Sequence, residues 1–490
     1  MKGWQVLGSL LFIMHFLHLF AANIHAQVQD LQHYIDIIEK QQKIILQQEK
    51  VIAEQAARIV ALENEVKKLK EKVRILKEGK NSNNSSIPPS ADQKRTTNKS
   101  LRTKTGKKTG GQPGHKGSTL KMTDNPDQVV KHTPSLCDCC GEDISDKEEV
   151  LKEKRQVVDI PPIKPVYVEH RVFVKKCTCG HETSSAFPED VKASIQYGAG
   201  VEGLVAYLSA RHYVPFARTG EILGHVFGLP LSEGSIGNIL ERFAKKAQEP
   251  YKRIKEDVAK APVVGSDETG CKVNGEKLWV FTWQDPENTF LSISKSRGNV
   301  GIAESFPDGF PMSTLISDAW AAQLATLARR HQLCTAHLLR DLKYFVEVLH
   351  CSWAEDIKKL FEDALKLKKD WQDELEGNFE EKRKGVFDRF DKLLKQSVVF
   401  EKVKPFKKRL QKNKESVFEF LNQKDVPPDN NASERAIRNI KVKLKVSGQF
   451  RSLQGAQCFL TIRSVIDTAI KRGCKVLDVL KDFDKLSPAE

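Results

Sequence analysis

The sequence has no clean membrane-spanning run. Its one long uncharged apolar stretch, Trp4 to Ala22, is short and interrupted by His15 and His18, whereas a spanning helix needs about 20 mainly apolar residues. Methionine is absent between Met14 and Met122, so an internal start in that interval would need a non-AUG codon. Acidic residues are outnumbered, 64 Asp and Glu against 79 Lys and Arg, for a net charge of +15. That excess sets no fold, but it favours a polyanionic partner, either nucleic acid or an anionic surface. Residues 79–120 almost lack large apolar side chains. They cannot offset the entropy of ordering, which excludes a packed core there. The segment 79–125 therefore reads as a basic flexible linker whose Lys and Arg can neutralise phosphates.

The 490 residues, 40% of them apolar, leave room for two to four domains and a sizeable core. Residues 28–78 carry a seven-residue apolar repeat. With Leu31 as position a, the a series is Leu31, Ile38, Ile45, Ile52, Ile59, Val66 and Val73; the d series is Tyr34, Gln41, Gln48, Gln55, Leu62, Leu69 and Leu76. β-Branched residues at a with Leu at d favour a parallel coiled-coil dimer. In that pairing Arg58 meets Glu63 and Glu65 meets Lys70, while the three Gln at d weaken the first half. The competing reading is an amphipathic helix packed on its own core.

Five of the ten cysteines lie between Cys137 and Cys179, as Cys137-Asp-Cys139-Cys140-Gly and Cys177-Thr-Cys179-Gly. Two cysteine pairs, each followed by Gly and flanked by the strand-like RQVVDI and YVEHRVFVKK, resemble zinc-ribbon knuckles, where four soft ligands converge tetrahedrally. Cys137, Cys140, Cys177 and Cys179 are the expected ligands of a structural Zn²⁺ in a domain spanning 126–190. Cys139 is the spare and His181 a substitute. Free buried thiols, or disulfides in an exported chain, are the alternatives. Residues 191–256 read as helices: GVEGLVAYLSARHYV, PFARTGEILGHVFG, then SIGNILERFAKKAQ beginning at a Ser cap. Helix, glycine-containing turn and helix fit a helix-turn-helix that contacts DNA, or plain packing.

The chemistry falls in residues 257–465. APVVGSDETG reads as a strand ending at Asp267, KLWVFTW and TFLSISKS as the next two strands, and MSTLISDAW as a fourth ending at Asp318. AAQLATLARRH reads as a helix, and PPDNNASERAIRNIKVKLK as a later helix with Glu434 in its first turns. This order matches a ribonuclease H-like core. On the last helix Ile437, Ile440 and Leu444 share the core face; Glu434, Arg438, Lys441 and Lys445 share another, with Arg435 beside it. Three carboxylates can hold two Mg²⁺ ions, which activate a water or 3′-hydroxyl and stabilise a departing oxygen. Singly, each acid has a plain alternative: Asp267 and Asp318 as strand-end caps, Glu434 as an ion-pair partner of Arg438. Glu268 rivals Asp267. Residues 350–425 read as a helical insertion, a binding face or a solvated scaffold.

Taken together, these features resemble the transposases of the insertion sequence 66 family. The likeness runs from about residue 30 to about residue 470. It is carried by the coiled coil, NSNNSSIPPS, GGQPGHKG, the Cys pairs, SDETG, LISDAW, CTAHLLRDL and PPDNNASERAIR. The resemblance implies a DDE triad of Asp267, Asp318 and Glu434 using Mg²⁺ or Mn²⁺, a zinc-binding domain, and recognition of terminal inverted repeats. Cys334 and His337 match a Cys-x-x-His feature of the family, structural or touching DNA. The Cys-x-Cys second knuckle and the apolar leader at 1–27 depart from the pattern.

The expected fold class is thus multidomain α+β: N-terminal coiled coil, small zinc-binding domain, helical DNA-binding segment, and a ribonuclease H-like α/β catalytic core with a helical insertion, followed by a tail at 466–490. The expected partners are DNA ends and target, a second copy through the coiled coil, and small accessory proteins of the element, with no membrane. The expected location is cytoplasmic, on the nucleoid. The leader resembles a secretory signal, so either the start is set upstream of the true one or the chain is exported. The other function classes are an inactive or domesticated DNA-binding relative and an exported coiled-coil interaction protein.

Overall fold

A computed structural model describes residues 3–79, 114, 116–117, 119–373 and 377–486. Most of the linker read over 79–125 lies outside these residues. The chain divides into two compact units, one being α1 with residues 347–350 and the other holding the rest.

Helix α1 (Gly3–Glu78) is a single run of 76 residues. Neither Pro nor Gly occurs between Gly8 and Gly79, so nothing local stops it until Gly79, whose N–H still bonds to the Ile75 carbonyl at 3.0 Å. The leader and the heptad segment thus form one helix with no break at residue 27. Among the described residues no helix is long and apolar enough to cross a membrane.

Residues 119–193 bury no side chain. β1 (Val174–Lys176) and β2 (Glu182–Ser184) pair there, antiparallel, around the second cysteine turn, and a single antiparallel bridge, Leu136 to Asp143, closes the first. The strand expected at RQVVDI is not formed, and only the end of YVEHRVFVKK is. Val157 is 94% exposed and Ile160 78%, so these residues have no sheet to join.

Four helices follow: α2 (Ala199–Ala206), which runs into a π-helical turn at Tyr207–Arg211, α3 (Phe216–Phe227), α4 (Glu233–Lys246) and α5 (Gln248–Lys260). Gly228, at φ +65°, ends α3 in the left-handed conformation that glycine adopts without strain. The cap of α4 is Ser232, whose side chain accepts from the Ser235 N–H at 3.1 Å. It stands ahead of Ser235, where the sequence had suggested the start.

Five strands form one mixed sheet in the order β5-β4-β3-β6-β7. They are β3 (Val263–Val273), β4 (Glu276–Gln284), β5 (Thr289–Ser294), β6 (Phe310–Ser317) and β7 (Ala328–Leu333), with α6 (Asn299–Ser305) and α7 (Ala321–Ala325) on the connections. β3–β4 and β4–β5 are antiparallel; β3–β6 and β6–β7 are parallel. Two expectations are corrected. β3 continues well past Asp267 because it stays paired with β4 to Val273. The helix read at AAQLATLARRH stops at Ala325, and its second half is β7.

Alternate residues of β4 enter different cores. Leu278 and Val280 pack with Leu223, Ile236 and Phe459; Phe281 and Trp283 pack with Phe306, Phe310 and Val465. Both faces of the sheet are therefore covered, and a fully buried aromatic of this kind contributes about 1.5–3 kcal/mol. After β7 come α8 (Thr335–Glu347), α9 (Ser352–Gln372), α10 (Phe379–Lys395), α11 (Lys404–Lys412), α12 (Asn431–Ser447), α13 (Leu453–Lys471) and α14 (Val476–Lys481). α13 crosses the expected boundary at 465, and Val479 and Leu486 beyond it are buried in the core. It also covers the edge strand: the β5 N–H groups of Leu291 and Thr289 donate to Ser464 Oγ (3.0 Å) and Thr468 Oγ1 (3.1 Å), which removes an open sheet edge.

Candidate active site

β3 and β6 pair only over Val263–Gly265 and Thr314–Ile316. Asp267 on β3, Asp318 just after β6 and Cys334 just after β7 lie past those paired rungs, at the carboxyl side of three adjacent parallel strands. Open α/β sheets bind ligands at that end. Glu434 comes to the same place from the first turn of α12.

The approach of α12 to β3 depends on Gly265. A Cβ there would stand 2.5 Å from Gln284 Nε2, 2.6 Å from Ser433 Oγ and 2.9 Å from Asn430 Oδ1. These groups form a buried network. Asn430 Nδ2 donates to the Ser266 carbonyl (2.5 Å), Ser433 Oγ to Asn430 Oδ1 (2.6 Å), and Gln284 Nε2 to Ser433 Oγ (3.3 Å). The start of α8 is tied to the start of α12 as well. Thr335 donates through its N–H (3.0 Å) and hydroxyl (2.8 Å) to the Pro428 carbonyl, and the Asn430 N–H donates to Cys334 Sγ at 3.3 Å. Sequence reasoning missed Gly265, Gln284, Asn430 and Ser433. The one signal was a glycine inside an apolar strand, which marks close backbone approach.

The acids differ in their surroundings. Burial, then the charges of Asp318, Glu268 and Glu434, push the Asp267 carboxyl well above the usual range; one hydrogen bond from the Glu268 N–H (2.8 Å) opposes this. Among the described residues Asp267 has no cationic partner. Glu268 has one: it accepts from Arg297 at 2.7 Å and from Gln323 Nε2 at 2.8 Å. The Arg297 guanidinium lies over both Trp279 (4.8 Å) and Trp320 (4.6 Å). Burial raises the Glu268 carboxyl and Arg297 counters it. Glu434 faces Arg340 (3.4 Å), His337 Nδ1 (3.8 Å) and Arg438 (3.8 Å).

Among the described residues one trio of metal-capable side chains converges: Cys334, His337 and Glu434, with ligand atoms all within 4.8 Å of one another. Asp267 and Asp318 are outside that trio. Burial pushes the Cys334 thiol up to about 11. Arg435, Arg438, Lys441 and Lys445 are all exposed on α12.

The cysteine turns are two separate knuckles. The Gly141 N–H bonds to the Cys137 carbonyl (2.9 Å) and the Gly180 N–H to the Cys177 carbonyl (2.9 Å), so the second turn is one residue tighter. Both glycines have positive φ, +77° and +88°. N–H groups of Cys140 and Cys139 lower the Cys137 thiol, and that of Cys179 lowers Cys177; such donation favours the thiolate that zinc takes. The four thiols are not drawn into one cluster as tight as the Cys334 trio.

Three comparisons bear on this arrangement. The family described as Transposase IS66 family matches residues 194–458, and the zinc-finger binding domain of transposase IS66 matches residues 134–180. A family of unknown function matches residues 21–121. No curated protein matches the chain. The class is that of a transposase with a zinc-finger domain ahead of its main domain. Matched over more than half its length by the first of these families, the chain belongs to the IS66 family. The zinc-finger match supports a structural zinc at the knuckles.

Proposed function

We propose that this chain binds the ends of a mobile DNA element and cuts and joins strands there, with Asp267, Asp318 and Glu434 holding Mg²⁺ or Mn²⁺. The observation that carries this reading is the crowding of acids at Asp267: a buried carboxyl on β3 among three other acids, with no cationic partner among the described residues. Oxygen donors of this kind suit hard divalent ions, which would remove the repulsion. When bound, such ions supply an activated water or 3′-hydroxyl and stabilise a departing oxygen.

The chain's own groups do the positioning. Gly265 and the Asn430–Ser433–Gln284 network hold the Glu434 turn against β3. Arg297 occupies Glu268, whereas neither Asp267 nor Asp318 has a counter-ion among the described residues. Arg435, Arg438, Lys441 and Lys445 offer phosphate contacts along α12. The sheet order supports a ribonuclease H-like core over 257–465, with α9–α11 as its insertion. We read α3 and α4 as the helix-turn-helix of 191–256, the knuckles as the zinc site of 126–190, and the uncovered stripe of α1 as a dimer seam over 28–78.

The test is nicking of DNA carrying the element's ends, with Mg²⁺, by wild type, Asp267→Asn, Asp318→Asn and Glu434→Gln. Wild type is expected to cut, and each variant to bind without cutting. A variant that still cuts would show that its acid was misassigned, with Glu268→Gln next in line. Wild type that binds but cuts with neither Mg²⁺ nor Mn²⁺ would make the chain an inactive DNA-binding relative.

A further inference from the structure

The Cys334, His337 and Glu434 trio carries chemistry that the three-acid reading does not use. Cys334 precedes α8 as its cap, and its carbonyl accepts the His337 N–H at 3.2 Å. That spacing places a thiol and an imidazole on the same side of the helix start, facing the first turn of α12. Cys334 is 1% exposed, while the His337 and Glu434 side chains are each 20% exposed. The cysteine is thus buried, while the imidazole and the carboxylate are partly open to solvent. The Asn430 N–H already donates to Cys334 Sγ, the kind of outer contact that orients a metal-bound ligand.

We propose that Cys334 Sγ, the His337 imidazole and the Glu434 carboxylate form a site for a zinc-class divalent cation, separate from the knuckles. One sulfur, one nitrogen and one oxygen donor form a soft-to-borderline set that Mg²⁺ does not choose and zinc does. Zinc bonds of about 2.0–2.3 Å would draw the three donor atoms to roughly 3.5 Å apart. From the present 4.8 Å limit this is an adjustment of side-chain torsions, not of backbone. Arg340 and Arg438 meet Glu434 only at 3.4 and 3.8 Å, so no tight bidentate pair has to be broken. Three protein ligands leave a fourth position for water or a substrate oxygen, the open pattern of catalytic rather than structural zinc.

One consequence rests on the proposed three-acid function: Glu434 belongs to both ligand sets. A zinc ion on Cys334 and His337 would then withhold Glu434 from Mg²⁺ and restrain cutting.

The experiment uses the full chain with Cys137→Ser, Cys139→Ser, Cys140→Ser, Cys177→Ser and Cys179→Ser, which removes the knuckles, and Co²⁺ alone as the probe. Thiolate-to-metal absorption is expected with about one Co²⁺ per chain, the stoichiometry of a single site, displaced by Zn²⁺ and not by excess Mg²⁺. Adding Cys334→Ser should abolish that absorption. Adding His337→Gln should weaken Co²⁺ binding by roughly tenfold or more, since even outer-shell partners act on that scale. Absence of the thiolate band, or its survival in Cys334→Ser, overturns the proposal. Circular dichroism checks the fold; should Cys334→Ser unfold, an unchanged Co²⁺ affinity in His337→Gln overturns it equally. The readout does not involve cutting, so a chain that takes up Co²⁺ but never nicks DNA refutes the proposed function and leaves the site standing.

Discussion

Two regions of this molecule treat their apolar surface in opposite ways. Along α1, Leu31, Ile38, Ile45, Ile52 and Ile59 are each more than half exposed, 53–64%. In the sheet unit, Val280, Phe281, Trp283 and Leu291 are fully covered. Their treatment of charge is reversed too: the charged side chains of α1 are almost all solvated, whereas the sheet unit gathers Asp267 with three other acids. The sheet unit therefore has its stability built in and uses some of it to hold a strained site. An isolated helix gains little from its own backbone, so a long uncovered stripe points to stability supplied from outside, by association.

The largest expected effect removes one side of this contrast. Deleting residues 28–78 is expected to convert a dimer into monomers by light scattering, with the melting of the sheet unit unchanged. A deletion product that is still dimeric would move the interface into the sheet unit and erase the contrast.

The next effect sharpens the strained half. Asp267 has a raised pKa in the folded chain, so the folded state holds that proton more tightly than the unfolded chain does. Its contribution to stability is fully present below the unfolded value and is lost as pH rises through the folded value. In chelator near neutral pH, Asp267→Asn should therefore melt above wild type, and the gap should shrink in acid, where both side chains are neutral. Mg²⁺ should raise the melting temperature of wild type and not of the variant. Equal melting in chelator at both pH values would mean that the acid is not strained.

A smaller change tests how the strain is held. Gly265→Ala forces a Cβ against Gln284, Ser433 and Asn430 and should cost about 1–3 kcal/mol, the usual cost of overpacking. Gly270→Ala is the control, because its nearest contact is Lys277 Cε at 3.5 Å, an ordinary distance. Similar losses in denaturant titrations of the two variants would refute the special role of Gly265.

The same contrast explains what was legible in the sequence. The α1 heptads are a local pattern repeated along the chain, so periodicity finds them; β4 was visible as an apolar run. β7 was missed because Arg329 and Arg330 are exposed on it, and a sheet edge tolerates charges that propensity assigns to a helix. The continuation of β3 past Asp267 was hidden because pairing with β4, not local composition, extends it. RQVVDI has strand composition and no partner strand. At the site, the order of the three acids could be read along the chain. The contacts of Gly265 with Asn430 and Ser433, and of Cys334 with Asn430, join residues far apart in sequence, so no local pattern announces them.

The smallest expected effect lies on the exposed face of α12. Arg435, Arg438, Lys441 and Lys445 are solvated, so single changes to Ala should alter stability by no more than about 0.5 kcal/mol. If these side chains meet phosphates, each releases counterions on binding, and removing one should reduce the slope of log affinity against log salt by about 0.9. Lys445→Ala is the cleanest probe, because it is the member of the stripe furthest from Glu434. A shallower salt slope, with weaker binding to every DNA sequence alike, would place the duplex along α12. An unchanged slope would leave the stripe a solvated helix face, as the charges of α1 are, and the DNA path would then have to be sought on another surface of the sheet unit.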